Sequence, residues 1–166
     1  MTNVDDNAPG GAGAGKIHGM HALQLSVLVG FVPAASLALA LRRWIGAGVL
    51  CLNIFTSVIS NRPAARGREL FDYVDGLAIC LWGAYNTFVA AQVVRALCTN
   101  LAARRLALLI CALIFAGASG VADVARRRLP FRSKREVHFH AIMHLLGSVG
   151  TILLLVSTIN SGTALV

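Results

Sequence analysis

Residues Val137 to Thr151 read Val-His-Phe-His-Ala-Ile-Met-His-Leu-Leu-Gly-Ser-Val-Gly-Thr and open the last of the apolar blocks in a chain of 166 residues. Folded as a helix, this stretch stacks His140 and His144 on one face, one turn apart, and continues the stripe through Gly147 and Thr151. Two imidazoles at that spacing can hold one metal ion. They can equally be two hydrogen-bonded histidines near a membrane surface.

The remainder of the chain sets the solvent for that helix. Hydrophobic residues make up 57% of the sequence and charged residues only 13%, against about a quarter in a soluble domain. The cations exceed the acids by eight, but they sit in short runs between apolar blocks. That pattern suits loops on anionic headgroups and excludes a nucleic-acid surface. The four cysteines, Cys51, Cys80, Cys98 and Cys111, have no paired short spacing, so they form neither a disulfide framework nor a zinc ribbon.

Residues 1–17 are rich in Gly, Ala, Asn and Asp and are expected to be a disordered segment. Residues 18–166 are expected to form one transmembrane helical domain. His18 and His21 fit histidines at a helix entry better than metal ligands. Block one runs from about Ala22 to Leu41, carries Pro33 as an expected kink, and stops at Arg42 and Arg43. Ser36 to Ala40 resembles a signal-peptide cleavage site, but the apolar run exceeds the roughly 7–15 residues of such peptides, so a retained span is expected. Block two is Trp44 to Ser60, with Asn53, Ser57 and Asn61 on one stripe. Block three is Leu70 to Val94, with Asp72 and Asp75 near its start and Asn86 deeper on nearly the same face. Block four, Leu106 to Ala122, has a small-residue packing stripe at Ala112, Ala116 and Gly120. Block five is about Val137 to Ile159. The fold class is therefore all-α, a polytopic membrane bundle of about five transmembrane helices.

Five spans put the termini on opposite sides. The N-terminal side holds Lys16, Arg62, Arg66, Arg68, Arg126, Arg127, Arg128, Arg132, Lys134 and Arg135; the other holds Arg42, Arg43, Arg95, Arg104 and Arg105. The excess favours a cytoplasmic N-terminus. Block two ends, and blocks three and five begin, on that same side. Ser57, Asn61, Asp72, Asp75, His140 and His144 then lie at similar depth, where polar groups must face one another, water or a metal. The plainer alternative pairs Asp72 and Asp75 with Arg66 and Arg68 in headgroup water, at a helix start that favours acids.

The ordered set Ser57-x-x-x-Asn61, Asp72, and His140-x-x-x-His144-Leu-Leu-Gly resembles the CREST superfamily of membrane hydrolases, which includes the alkaline ceramidases and the progestin and adipoQ receptors. Asp72-Tyr73 with Gly76 is similar to the receptor branch, and His144-Leu145-Leu146 to the ceramidase branch. The family has seven spans, and its pattern is Ser-x-x-x-His, an Asp, and His-x-x-x-His, the histidines holding zinc. Here Asn61 stands where the family has its first histidine, and a neutral amide is a poor zinc ligand.

The resemblance implies metal-assisted hydrolysis of a lipid amide or ester. Zinc would be held by His140, His144 and Asp72, with Ser57 or Asn61 polarising the carbonyl and Asp75 as base. The alternative is a non-catalytic accessory or scaffold subunit of a membrane complex, with membrane lipids and protein partners but no nucleic acid. An intramolecular bis-histidine haem is disfavoured, because the one deep pair lies on a single helix.

Overall fold

The computed structural model describes residues 11–60, 68–99, 102–129 and 133–159, with side chains described from residue 21 onward except 68, 69, 71, 72 and 99. Five helices follow one another: α1 (Gly11–Ala40), α2 (Trp44–Ser60), α3 (Arg68–Thr99), α4 (Ala103–Arg127) and α5 (Lys134–Ser157). No strand occurs among the described residues. Four of these contain stretches long and apolar enough to cross a membrane: His21–Ala40, Tyr73–Cys98, Ala103–Arg127 and Lys134–Ser157. The fifth, α2, has 17 residues, or about 25 Å of rise, at the short end for a hydrocarbon layer about 30 Å thick.

Polarity in this bundle is inverted relative to a soluble protein. Large apolar side chains such as Phe88, Ile114 and Val121 point outward, while Asn53, Ser57, His144 and Thr151 are buried. An outer surface of that kind is suited to lipid. The all-α membrane architecture expected from the sequence is what the structure has. The outline of α2 matches block two, and α3, α4 and α5 each begin two or three residues before their apolar blocks. One difference lies at the start. From Gly11 onward the chain is helical, although disorder was expected to residue 17; residues 1–10 lie outside the described residues. Once a long helix is nucleated, adding Ala-rich turns costs little.

Helix α1 packs between α2 and α5; α3 lies against α2, α4 lies against α5, and α3 closes the ring with lighter contacts to both α4 and α5. Thus α1, α3 and α5 run one way and start at what we term the near side. Phe31, Val27, Leu50 and Leu155 form the main apolar core between α1, α2 and α5.

Two details fix the geometry. At the α1–α2 corner, Arg42 adopts a left-handed φ of 56°. Its N–H donates to Leu39 O (2.9 Å) and that of Arg43 to Ala38 O (2.8 Å), the Schellman pattern that normally recruits glycine. On α4, the packing face toward α5 comprises Leu109, Ala112, Ser119 and Ala122. Gly150 brings the α5 backbone close to Ala112 O and Ala116 N, whereas among the described residues nothing comes within 4 Å of where a Cβ on Gly120 would stand. The expected small-residue stripe is therefore half right: Ser119, one residue earlier, occupies the contact that Gly120 was expected to make.

Candidate functional site

The first turn of α5 is set by Ser133, whose Oγ accepts the N–H of Glu136 (3.1 Å), an N-cap contact. That start fixes the phase of the helix, and Glu136, His140 and His144 fall on one face at four-residue steps. Glu136 is only 4% exposed. Its Oε1 lies 3.4 Å from Arg126 Nη1 on α4 and 3.7 Å from His140 Nδ1. Arg126 is held in turn by Asp123 at 2.8 Å, which also binds Arg127 at 2.8 Å.

His140 and His144 stack with ring centroids 4.7 Å apart and planes 20° from parallel. His144 is 2% exposed and lies edge-on to Phe31 of α1 at 5.6 Å. Its Nε2 has no hydrogen-bond partner among the described residues. The Nδ1 of His140 faces a carboxylate, which is how metal-binding histidines are usually oriented, leaving Nε2 for the ion. An unpartnered buried nitrogen beside an oriented imidazole fits a zinc site in donor type. Among the described residues, no three His, Cys, Asp or Glu side chains converge enough to hold an ion. The side chain of Asp72 lies outside the described residues.

A second cluster joins α2 to α3. Ser57, fully buried, donates from Oγ to Asp75 Oδ1 at 2.5 Å, and the single hydroxyl proton of Thr56 is within reach of both that oxygen (3.0 Å) and Asn53 O (3.2 Å). A hydroxyl has one proton to give, and that of Ser57 is given to Asp75.

The levels of the two clusters follow from contacts deeper in the bundle. Trp82 of α3 packs on Gly147 of α5 and donates from Nε1 to Thr151 Oγ1 at 3.0 Å. Asn86 donates to the same hydroxyl at 3.1 Å, and Phe31 meets the indole edge-on at 5.1 Å. Because α3 and α5 run parallel, stepping back about two turns from Trp82 reaches Asp75, and the same step from Gly147 and Thr151 reaches His140 and His144. Asp75 therefore stands on the same face of α3 as Trp82, at the height of the histidine pair.

Of the expected site residues, the structure brings Ser57 to Asp75 and His140 to His144, and Asn61 lies outside the described residues. It adds Thr56, Glu136 and Arg126. Glu136 was visible in the sequence, four residues before His140 and three after a capping serine. By charge Arg126 belongs to the basic run after block four, but α4 extends to Arg127 and turns Arg126 toward Glu136. Of the other histidines, His21 is exposed, and exposed His138 bonds Lys134 O at 2.7 Å. Compared with protein-family models, with curated proteins and with solved structures, the chain matches none.

Proposed function

We propose that the chain is a metal-dependent membrane hydrolase acting on a lipid amide or ester, with its N-terminus cytoplasmic. The observation that carries this reading is the His140–His144 pair, its rings stacked, with His144 buried and its Nε2 unpartnered among the described residues. His140 and His144 would hold zinc, with Asp72 as third ligand, and the ion would supply Lewis-acid chemistry and a water acidic enough to attack at neutral pH. Glu136 orients the His140 ring. Asp75, already the acceptor of the Ser57 hydroxyl proton, takes up a proton during the reaction. Ser57 fixes the position of that carboxylate, which leaves polarisation of the carbonyl to Asn61. Phe31 and Trp82 close the inner side of the site with apolar surface.

The test is metal analysis of detergent-purified protein alongside release of fatty acid from a fluorescent N-acyl lipid. Wild type should carry about one zinc per chain, His140→Ala and His144→Ala should lose it, and Asn61→His should bind it more tightly. Wild type with no metal and no turnover would overturn the reading. The alternative is a non-catalytic accessory subunit of a membrane complex. Metal-free wild type purifying with a stoichiometric membrane partner would support it.

A further inference from the structure

Buried polarity is confined to one half of the bundle interior. The far half is packed with apolar side chains, among them Ala35, Ala38 and Leu50 in one cluster and Val89, Val93 and Leu109 in another. The buried Asn53, Thr56, Ser57, His144 and Ser148 all lie nearer the candidate site, and Thr151 borders the apolar part. Of the buried polar side chains described, Ser157 alone stands at the far end, and its hydroxyl donates to Leu154 O at 2.6 Å. Buried hydroxyls in the near half are likewise satisfied by their own helix, as Ser148 is by Leu145 O and Thr151 by Gly147 O. Asn53 is different. It is fully buried, and among the described residues neither its amide nitrogen nor its side-chain oxygen has a hydrogen-bond partner.

Helix register gives its level. Gln24 donates from Nε2 to Val58 O at 3.2 Å, so five residues along the antiparallel α1 and α2 bring Asn53 level with Val29 and Gly30. A Cβ on Gly30 would stand 3.0 Å from Ser148 Oγ and 3.4 Å from His144 O. Toward α3, Ser57 bonds Asp75, and one turn deeper the fully buried Ala78 falls opposite Asn53. Asn53 thus shares a layer with His144, whose Nε2 is also unpartnered among the described residues. Asn86, with its Oδ1 unpartnered, stands at the middle of the membrane-crossing stretch Tyr73–Cys98. Tyr85 and Gln92 also carry unpartnered oxygens, but their side chains are only half-buried.

We infer that Asn53 binds internal water, as the inner wall of a hydrated inlet that rises from the near side and ends blind against the apolar clusters. A carboxamide donates two hydrogen bonds and accepts two, and hydrocarbon offers it none. Buried polar groups that the protein leaves over are satisfied by water. The two free ends of Asn53 also choose the occupant. An anion would leave Oδ1 unpaired and a metal cation would leave Nδ2 unpaired, whereas water accepts from one and donates to the other. Thr56, Ser57 and Ser60 continue the polar face of α2 from Asn53 toward the near side. The apolar far half gives water no partners, which makes the inlet blind. No metal enters this scheme, and water access reads the same whether or not the chain hydrolyses lipid.

The experiment is infrared spectroscopy of the full chain in detergent on transfer to heavy water, with Cys51, Cys80, Cys98 and Cys111 replaced by alanine. Ala78→Cys and Ala38→Cys each place one thiol at a fully buried position, and its S–H stretch becomes S–D only where water reaches it. Ala78→Cys should exchange at least about tenfold faster than Ala38→Cys, because a dry, packed group exchanges only through opening of the structure. Asn53→Leu, similar in volume but without either hydrogen bond, should slow the Ala78→Cys thiol to the Ala38→Cys rate and lower the unfolding midpoint. Equal, slow exchange at the two thiols would overturn the inference, since the interior would then be dry throughout. Equal, fast exchange would overturn the blind end. Unchanged exchange or a raised midpoint in Asn53→Leu would mark the amide as merely unpaired and overturn its role. If Asn53→Leu fails to fold, the comparison of the two thiols decides the matter.

Discussion

Gly147→Ala tests the packing that sets the height of the candidate site. A Cβ at Gly147 would run into Trp82 Cη2 and stand 3.1 Å from Trp82 Cζ2 and 3.2 Å from Ser119 Oγ. Neither neighbour can easily retreat. The indole is tied to Thr151 at 3.0 Å and flanked by Phe31 at 5.1 Å, and Ser119 donates to Met143 O at 2.9 Å. Overpacking of this kind costs about 1–3 kcal/mol, and losing the indole–hydroxyl bond adds about 1 kcal/mol. The better helix propensity of alanine returns about 1 kcal/mol. The net expectation is a loss of roughly 1–3 kcal/mol, summed from these terms. Equilibrium unfolding in mixed micelles should be followed by tryptophan emission in a Trp44→Phe background, so that only Trp82 reports. Emission should shift red, and Trp82→Leu should suppress much of the Gly147→Ala defect, as coupled neighbours do. Unchanged stability and emission would refute the Trp82–Gly147 contact, and with it the register that places Asp75 level with the histidines.

Asp75→Asn should leave zinc content unchanged but lower turnover about 10²- to 10⁴-fold, the usual range for removing a general base, as measured by fatty-acid release. Glu136→Gln should weaken zinc binding about tenfold by loosening the His140 ring, which competition with a chromogenic chelator would read. Arg42→Gly should raise stability by about 0.5 kcal/mol, relief of a left-handed residue partly offset by unfolded-chain entropy, seen as a higher unfolding midpoint.

The fold was legible because lipid leaves so few options. Long apolar blocks divided by Arg-rich stops specify membrane-crossing helices, since a backbone in hydrocarbon must bond to itself. Helix ends were less legible. Arg126 and Arg127 look like a loop by charge alone, yet both belong to α4, because their guanidinium groups reach Asp123 at i−3 and i−4. The Gly120 assignment failed for a related reason. A four-residue stripe drifts around a helix of 3.6 residues per turn, so the face meeting α5 passes from Ala112 to Ser119.

Within the site, spacing revealed the imidazole pair, but depth came from chain order. Helix α3 starts at Arg68 and α5 at Lys134, both on the near side. Asp75 is then seven residues into its helix, and His140 and His144 are six and ten into theirs. At about 1.5 Å per residue, the three lie within roughly 6 Å of one height. Two parallel helices entering the membrane together carry their early polar residues to one level whatever joins them. What chain order could not assign was the partner of each polar atom. The sequence offers Ser57 as a donor to a substrate carbonyl as readily as to Asp75; only the approach of α2 to α3 gives its proton to the carboxylate at 2.5 Å. Likewise Glu136 could have faced headgroup water with the basic loop, and it is α4, packed along α5, that encloses it between Arg126 and His140. The histidine pair thus owes its spacing to α5 alone, while the carboxylate that faces the His140 ring is held in place by Arg126 of the neighbouring helix.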